Sequence, residues 1–357
     1  MFASNFLEQG IRMKPDESPR PLLKESKRNG KAASANLFGV ALPLAIIGAL
    51  FYTAFFVKPV VSKVVTKPPT IEKRDIFFGL ARIDSTLIWA VGQHGKIIHS
   101  TDGGKTWSRQ DSGSSQHLQS IAAWSSNEAV VVGNAGTVLR TENGGASWEK
   151  VSLPSDYSSS KMMRVRVFPN KVAWVVGERG TILTSQDGGL SWTAPVVRDD
   201  TTWMDIAMMG ARGVLVGEFG QVRTTSDGGT TWSDMRTISD STINSVGFSD
   251  PEHGIAVGTG GIAFATKNGG ESWDELPKPT HQHLYDVFWD GTQWIAAGDK
   301  GVLLMSSAKD GRSWRDAGVK AGGWHTQVQG KDGEYLLAGY GVSGVSLSAD
   351  SASRGSK

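Results

Sequence analysis

The apolar positions of this 357-residue chain follow two different patterns. Residues 37–57, LFGVALPLAIIGALFYTAFFV, are 21 positions without a charge. A run of that length predicts a membrane-crossing helix, because about 20 residues at a 1.5 Å rise span a hydrocarbon core of ~30 Å. Beyond residue 75 the pattern changes to short apolar runs separated by Gly, Asn, Asp and Ser clusters, which is the pattern of strands and turns. Residues 118–124 alternate as one strand, and Ser125, Ser126 and Asn127 form a turn cluster. Residues 129–133 are a β-branched run. Asn134 and Ala135 then sit between two glycines, the mark of a tight hairpin whose turn needs positive φ. Residues 137–140 and 148–153 supply a third and a fourth strand.

The hairpin between third and fourth strands carries a repeat, Ser/Thr-x-Asp/Asn-Gly-Gly-x-x-Trp. Its copies end at Trp107, Trp148, Trp192, Trp232 and Trp273, and a degenerate sixth copy, with its acid slipped to Asp310, ends at Trp314. The steps between these tryptophans are 41, 44, 40, 41 and 41 residues. Four antiparallel strands repeated at such a step are propeller blades, which must stack because one small sheet cannot bury both faces. A Val-Gly or Ala-Gly pair between second and third strands, ending at Gly92, Gly133, Gly177, Gly217, Gly258, Gly298 and Gly339, counts seven units. The fold class is therefore all-β, a seven-bladed β-propeller with Asp-box hairpins over residues 75–348, preceded by a single N-terminal transmembrane helix at 36–57. The seventh unit has no box and no fourth strand of its own, and residues 60–74 are the available donor to close the ring. The boxes are read as structural. Their hydroxyls and carboxyls bond the hairpin backbone, the glycines take positive φ, and the Trp fills the gap between blades. Calcium would want six to eight oxygens, whereas each box offers one carboxylate, replaced by Asn at 143 and 268.

Charge divides with this organisation. Residues 1–74 carry 12 Lys/Arg against 5 Asp/Glu, and the other 283 carry 25 against 30, so the two parts are +7 and −5. A mildly acidic propeller argues against a nucleic-acid partner. Residues 1–35 read as a disordered basic tail, 58–74 as a proline-ended linker, and 349–357 as a disordered end. Lys24, Lys27, Arg28 and Lys31 precede the apolar run, against Lys58, Lys63 and Lys67 after it. That margin predicts a single-pass protein with a cytoplasmic N-terminus and the propeller on the exported, periplasmic side. No small-residue cleavage site follows the run, so the anchor is read as uncleaved. The chain has no cysteine, hence no disulfide, no zinc–thiolate site and no lipidated Cys.

The pattern WxVGxxGxIxxSxDGGxxW, at residues 89–107 and 174–192, resembles the photosystem II stability/assembly factor family. The resemblance covers about residues 75–348, and the wider group includes the bacterial neuraminidase repeats. It implies a seven-bladed propeller that is not an enzyme and that escorts a newly made membrane protein into its complex. Family members carry a cleaved or lipidated N-terminus, where this chain has an apolar run, and the photosystem itself is not carried over.

Strand order places the second-to-third-strand turns and the blade-to-blade connections on one face, with the boxes on the other. The turns hold His94, Glu178, Arg179, Glu218, Asp299 and Lys300 between fixed glycines, the pattern of a constant scaffold with a specialised surface. The connections add His117, Asp199, Asp200, His281 and His283. Aligning the first strands puts Gly79, Ser120, Arg164, Asp205, Ser245, Asp286 and Gln327 in one column at the central channel. Arg164 and Asp205, on adjacent blades, are expected to form a surface-type ion pair worth about 0–1 kcal/mol. The expected partner is a membrane protein or complex subunit, with the lipid bilayer met through residues 36–57. The alternative is a carbohydrate-binding or sialidase-like glycoside hydrolase propeller, with Asp205 and Asp286 as candidate paired carboxylates. A sialidase needs a clamp of arginines, and the channel column holds only Arg164. His281 and His283 are too few for a metal site, and no cofactor motif is recognised.

Overall fold

The computed structural model describes residues 37–56, 69–318 and 322–347, in two compact units, Met1–Thr66 and Lys67–Lys357. The tails expected over 1–35 and 349–357 lie outside the described residues. In the first unit the apolar run is a helix, Leu37–Phe56, with Pro43 inside it. Its described side chains, 41–56, are all exposed. Among the described residues no helix is long and apolar enough to cross a membrane.

In the second unit every described strand belongs to one of seven antiparallel sheets. Their first strands are Phe77–Arg82, Leu118–Ala123, Met162–Phe168, Trp203–Met209, Ile243–Phe248, Leu284–Trp289 and His325–Lys331. Blades 1, 2, 4, 5 and 6 have four strands, and blades 3 and 7 have three. Outermost strands are shorter than expected: blade 2 pairs only Glu149–Lys150, and blade 3 keeps one bridge, Thr184 to Thr193. An outermost strand has a neighbour on one side only and faces water on the other, so little holds it in register. Blade 7 is joined to the residues just before blade 1. Ile76 bridges Tyr340, and the Gly341 N–H donates to the Asp75 carbonyl at 3.0 Å. Residues 69–74 form no strand, and the rest of the expected donor segment, 60–68, lies outside the described residues.

The hydrophobic core is divided into seven clusters, one at each seam between blades. Trp89, Val91 and Ile97 of blade 1 pack with Leu118, Ile121 and Val131 of blade 2. The pattern repeats around the ring until Phe77, Leu80 and Ile88 meet Leu336 and Ala338 of blade 7. The Val-Gly glycines serve close approach. Gly133 has an extended backbone, but a Cβ there would lie 2.3 Å from the His117 carbonyl, which accepts the Asn134 N–H. The positive φ expected in this turn falls on Ala135 and Gly136 instead.

The boxes are hairpin staples. Ser185 Oγ accepts the Gly189 N–H at 2.8 Å and donates to Asp187 Oδ1 at 2.7 Å. Asp187 also accepts the N–H and hydroxyl of Ser191. Where Asn replaces Asp the hydroxyl reverses its role: Asn143 Nδ2 donates to Ser147 Oγ at 2.9 Å, and Asn268 does the same to Ser272. The second box glycine rests on the preceding blade. Gly229 has φ +85, and a Cβ there would lie 2.3 Å from the Trp174 ring.

Burial pulls the Asp187 carboxyl up, but the bonds from Ser191 and Ser185 outweigh it and leave it at about 2. Thr106 holds Asp102, and Thr231 holds Asp227, at about 2 in the same way. These folded values lie below the unfolded value of about 3.9. The stability they supply is therefore complete above about pH 4 and is lost as pH falls toward 2. Thermal unfolding between pH 7 and pH 2.5 tests this. Asp187→Asn copies the Asn143 hairpin, so it should hold its pH 7 stability and flatten the acid loss. Asp187→Ala should cost about 1–3 kcal/mol. Equal losses from Asn and Ala would show that hairpin bonding is not what the carboxylate does.

Candidate functional site

The first strand of each blade is the innermost, and its inner edge has no neighbouring strand. All seven carry a β-bulge at one position, where the register skips a residue. Directly after each bulge lies the predicted column, each member opposite the Val or Ala of its Val-Gly or Ala-Gly pair. Gly79 faces Val91, Arg164 faces Val176 and Asp286 faces Ala297, and the other four align likewise.

The column buttons each blade to the next. The N–H following it on the next blade points inward and finds the column side chain as acceptor. Ser120 Oγ takes the Val165 N–H, Asp205 Oδ2 the Val246 N–H, and Ser245 Oγ the Val287 N–H. Asp286 Oδ2 takes the Val328 N–H at 3.0 Å, and Gln327 Oε1 closes the ring on the Leu80 N–H at 2.7 Å. Two positions break the series. At Gly79 there is no side chain, and a Cβ would come 3.0 Å from the Ile121 nitrogen. Arg164 has no acceptor to offer, and the Ile206 N–H is taken by its own neighbour, Asp205 Oδ1, at 2.9 Å.

Charge gathers around that second break. Asp205, fully buried, receives Arg166 in a bidentate pair, Nε at 3.0 Å and Nη2 at 2.6 Å. Ser245 Oγ donates to it at 2.9 Å. Arg164, 7% exposed, lies farther off, 3.6 Å from Asp205 and 3.4 Å from Asp286. Two guanidiniums thus face two carboxylates. Burial pushes Asp205 up, but Arg166 and Arg164 outweigh it and hold its carboxyl below the usual range. At Asp286 burial wins over the same two arginines, and its carboxyl is raised. The expected Arg164–Asp205 pair is present, but it is buried and secondary. Arg166, two residues beyond the column, is the stronger partner and was not among the predicted site residues. Both carboxylates are almost wholly buried and bonded to arginine and to backbone N–H, and Asp286 also lines a cavity of about 500 Å³.

The predicted turn residues are spread around one face. His94, Arg179 and Lys300 occupy left-handed conformations at φ 52–53 and are exposed. Glu218 is drawn inward, its Oε1 accepting the Thr202 N–H at 2.9 Å. Asp299 Oδ1 accepts the Lys300 N–H at 2.9 Å, and no bond is described for the Glu178 carboxylate. Of the predicted residues, only Arg164, Asp205 and Asp286 converge. The Nδ1 atoms of His117 and His283 accept the His94 and Gly260 N–H groups. At the channel mouth the bulge residues surround a cavity of about 300 Å³, lined by Phe78, Met163, Arg164, Met204, Tyr285 and Trp324 among others.

The model of the family described as photosynthesis system II assembly factor YCF48 matches residues 64–201, 157–239 and 195–277. The chain belongs to that family. The YCF48 family fold is equally visible among solved structures. YCF48 bound to D1 peptide superposes with a TM-score of 0.65 at 21% identity, covering 78% of this chain and 95% of that one. YCF48 from Cyanidioschyzon merolae gives 0.63 at 19% identity, covering 78% and 96%. The WD40 propeller domain of Doa1 gives 0.64 at 12%, covering 77% and 94%, so likeness at this level shows the fold alone. A curated relative, photosystem II assembly lipoprotein Ycf48 of Synechococcus sp. (strain CC9902), is 40% identical over 63 residues. That stretch is 17% of this chain and spans about a fifth (19%) of the relative's length.

Arg166→Met would leave the Asp205 carboxylate buried with only the distant Arg164 as counter-charge. Chemical denaturation at pH 7 should show a loss of about 3–5 kcal/mol. The uncompensated carboxyl would then have a folded value above its unfolded one, so the variant should recover stability as pH is lowered toward 5. Adding Asp205→Asn should restore much of the loss. A small loss, independent of pH, would mean that the pair contributes little to holding the channel.

Proposed function

We propose that this propeller is a non-enzymatic, membrane-anchored assembly factor that holds a segment of a membrane protein subunit during building of its complex. The observation that carries the reading is membership of the YCF48 assembly-factor family over residues 64–277. The likeness in fold to a YCF48 bound to D1 peptide supports it. The uncharged run over residues 37–57 serves as the anchor, with the N-terminus cytoplasmic and the propeller on the exported side, a reading supported by the sequence alone. The partner docks on the turn face. Its side chains are displayed by a closed ring, and an interface of about 800 Å² per partner would spread over several neighbouring blades.

Two measurements test this. A photo-crosslinking residue placed at Arg179 or Lys300 of the full-length protein in its native membrane should capture a membrane-protein subunit, and one placed at Glu271 on the box face should not. Capture of soluble proteins alone, or equal capture from both faces, overturns the assembly reading. Protease added to spheroplasts should degrade the propeller and leave residues 1–35 protected, and the reverse result would invert the topology.

A further inference from the structure

Trp324, in the connection leading into blade 7, is the centre of an aromatic corner at the channel mouth. Its ring centroid lies 5.6 Å from Tyr340 at 84°, 6.3 Å from Tyr285 at 72° and 6.2 Å from Phe78 at 40°. Phe78 and Tyr285 are the bulge residues of blades 1 and 6, and Tyr340 stands in the second-to-third-strand turn of blade 7. Four separate stretches of chain therefore contribute to one corner. The backbone is shaped to allow it: Gly323 has φ +97, and a Cβ there would lie 3.0 Å from the Tyr340 ring. Trp324, Tyr285 and Phe78 line the 300 Å³ cavity, and Tyr340 is 60% exposed beside it.

The electrostatics of this corner favour a cation. Ring faces carry negative potential, and walls meeting near right angles can enclose a positive group from several sides. Asp299 is within electrostatic reach: burial first, then this carboxylate, pushes the Tyr285 hydroxyl up. Arg164 also lines the cavity, and its charge is answered by Asp205 at 3.6 Å and Asp286 at 3.4 Å. The propeller uses ring faces for its own arginines elsewhere. Arg198 lies 4.7 Å over Tyr157, and Arg223 lies 5.9 Å over Trp203. Residues 75–357 as a whole are acidic, 30 Asp/Glu against 25 Lys/Arg.

We propose that Trp324, Tyr340 and Tyr285 form a binding pocket for a lysine or arginine side chain of the partner's segment. The pocket itself stands on the geometry of the rings. Only the identity of the partner, a membrane protein subunit, rests on the assembly reading. A basic side chain seated there would act as a fixed anchor point in an interface otherwise spread over variable turns.

The test uses the full-length protein in detergent micelles, labelled with 5-fluorotryptophan. The Trp324 resonance is assigned from Trp324→Phe, and N-acetyl-lysine methylamide, N-acetyl-arginine methylamide and the uncharged N-acetyl-norleucine methylamide are titrated in. The two cationic probes should shift the Trp324 resonance and bind about fivefold more tightly than norleucine. Tyr340→Ala changes an exposed turn side chain and leaves the seams intact, so it should fold and lose most of that preference. Asp299→Asn should lose part of it. Equal or tighter binding of norleucine would make the mouth an apolar side-chain pocket. Preference for N-acetyl-aspartate methylamide would mean that Arg164 dominates. No shift with any probe would end the proposal. Each of these outcomes overturns the cation pocket while leaving crosslinking of a membrane subunit to the turn face unaffected.

Discussion

An inward-pointing N–H on the innermost strand of each blade has no strand to pair with, and this one constraint organises the centre of the molecule. Left buried and unbonded, such a group would cost about 1–3 kcal/mol. In five of the seven blades the acceptor is a side chain of the preceding blade: a serine, an aspartate or a glutamine. The bulge ahead of each column residue lets the pattern work, because it turns one extra side chain toward the mouth and leaves the next aimed at the neighbouring strand. The ring is thus closed by hydrogen bonds at its narrow centre and by seven apolar seams farther out. Gln327 and Gln329 fasten blade 7 to blade 1 with the same chemistry, at the Leu80 and Arg82 N–H groups.

Placing aspartate rather than serine at two of these positions has a consequence serine would not have. Each carboxylate satisfies its N–H but brings a charge into a dry site, and a lone buried charge is far more costly than a lone amide. Arg166 and Arg164 answer that charge. The buried quartet is a product of how the ring is fastened, and its presence alone is weak evidence for a catalytic site. The raised Asp286 and the lowered Asp205 fit this account. The same two arginines serve both, but Arg166 grips Asp205 at 2.6 Å, whereas Arg164 reaches Asp286 only at 3.4 Å.

Much of this is legible in the sequence, and what is not has physical causes that composition and spacing do not carry. The boxes count blades because Asp/Asn, two glycines and Trp are each needed by the hairpin at a set spacing. The column could be aligned because each first strand is in register with its Val-Gly or Ala-Gly pair. The bulges left no such mark: the residues at that position are Phe78, Gln119, Met163, Met204, Asn244, Tyr285 and Thr326. Without the bulge Phe78 and Tyr285 read as ordinary strand positions, and the convergence of their rings on Trp324 cannot be anticipated. Arg166 was missed for a related reason. It lies two residues past the column, on the same side of the pleat, and only the inter-blade distance shows that its longer reach brings it to Asp205. The shortened outer strands reflect pairing energy, which a run such as 148–153 does not reveal by composition.

The turn face can specialise because its geometry does not depend on its side chains. The second turn residue is left-handed in five blades although it is not glycine: His94, Ala135, Arg179, Phe219 and Lys300, at φ 49–53. Such a conformation costs about 1–2 kcal/mol for an ordinary residue. It persists because bonds on both sides hold it, as in blade 1, where the Gln93 N–H donates to the Ile76 carbonyl and the Lys96 N–H to the Gln93 carbonyl. Those bonds use backbone groups alone. Histidine, alanine, arginine, phenylalanine and lysine can therefore occupy equivalent turns without altering the scaffold, and the glycines that permit close approach are the positions that cannot change. Partner choice can then be written on turn tips and on the mouth while the seams and the acceptor ring carry the fold.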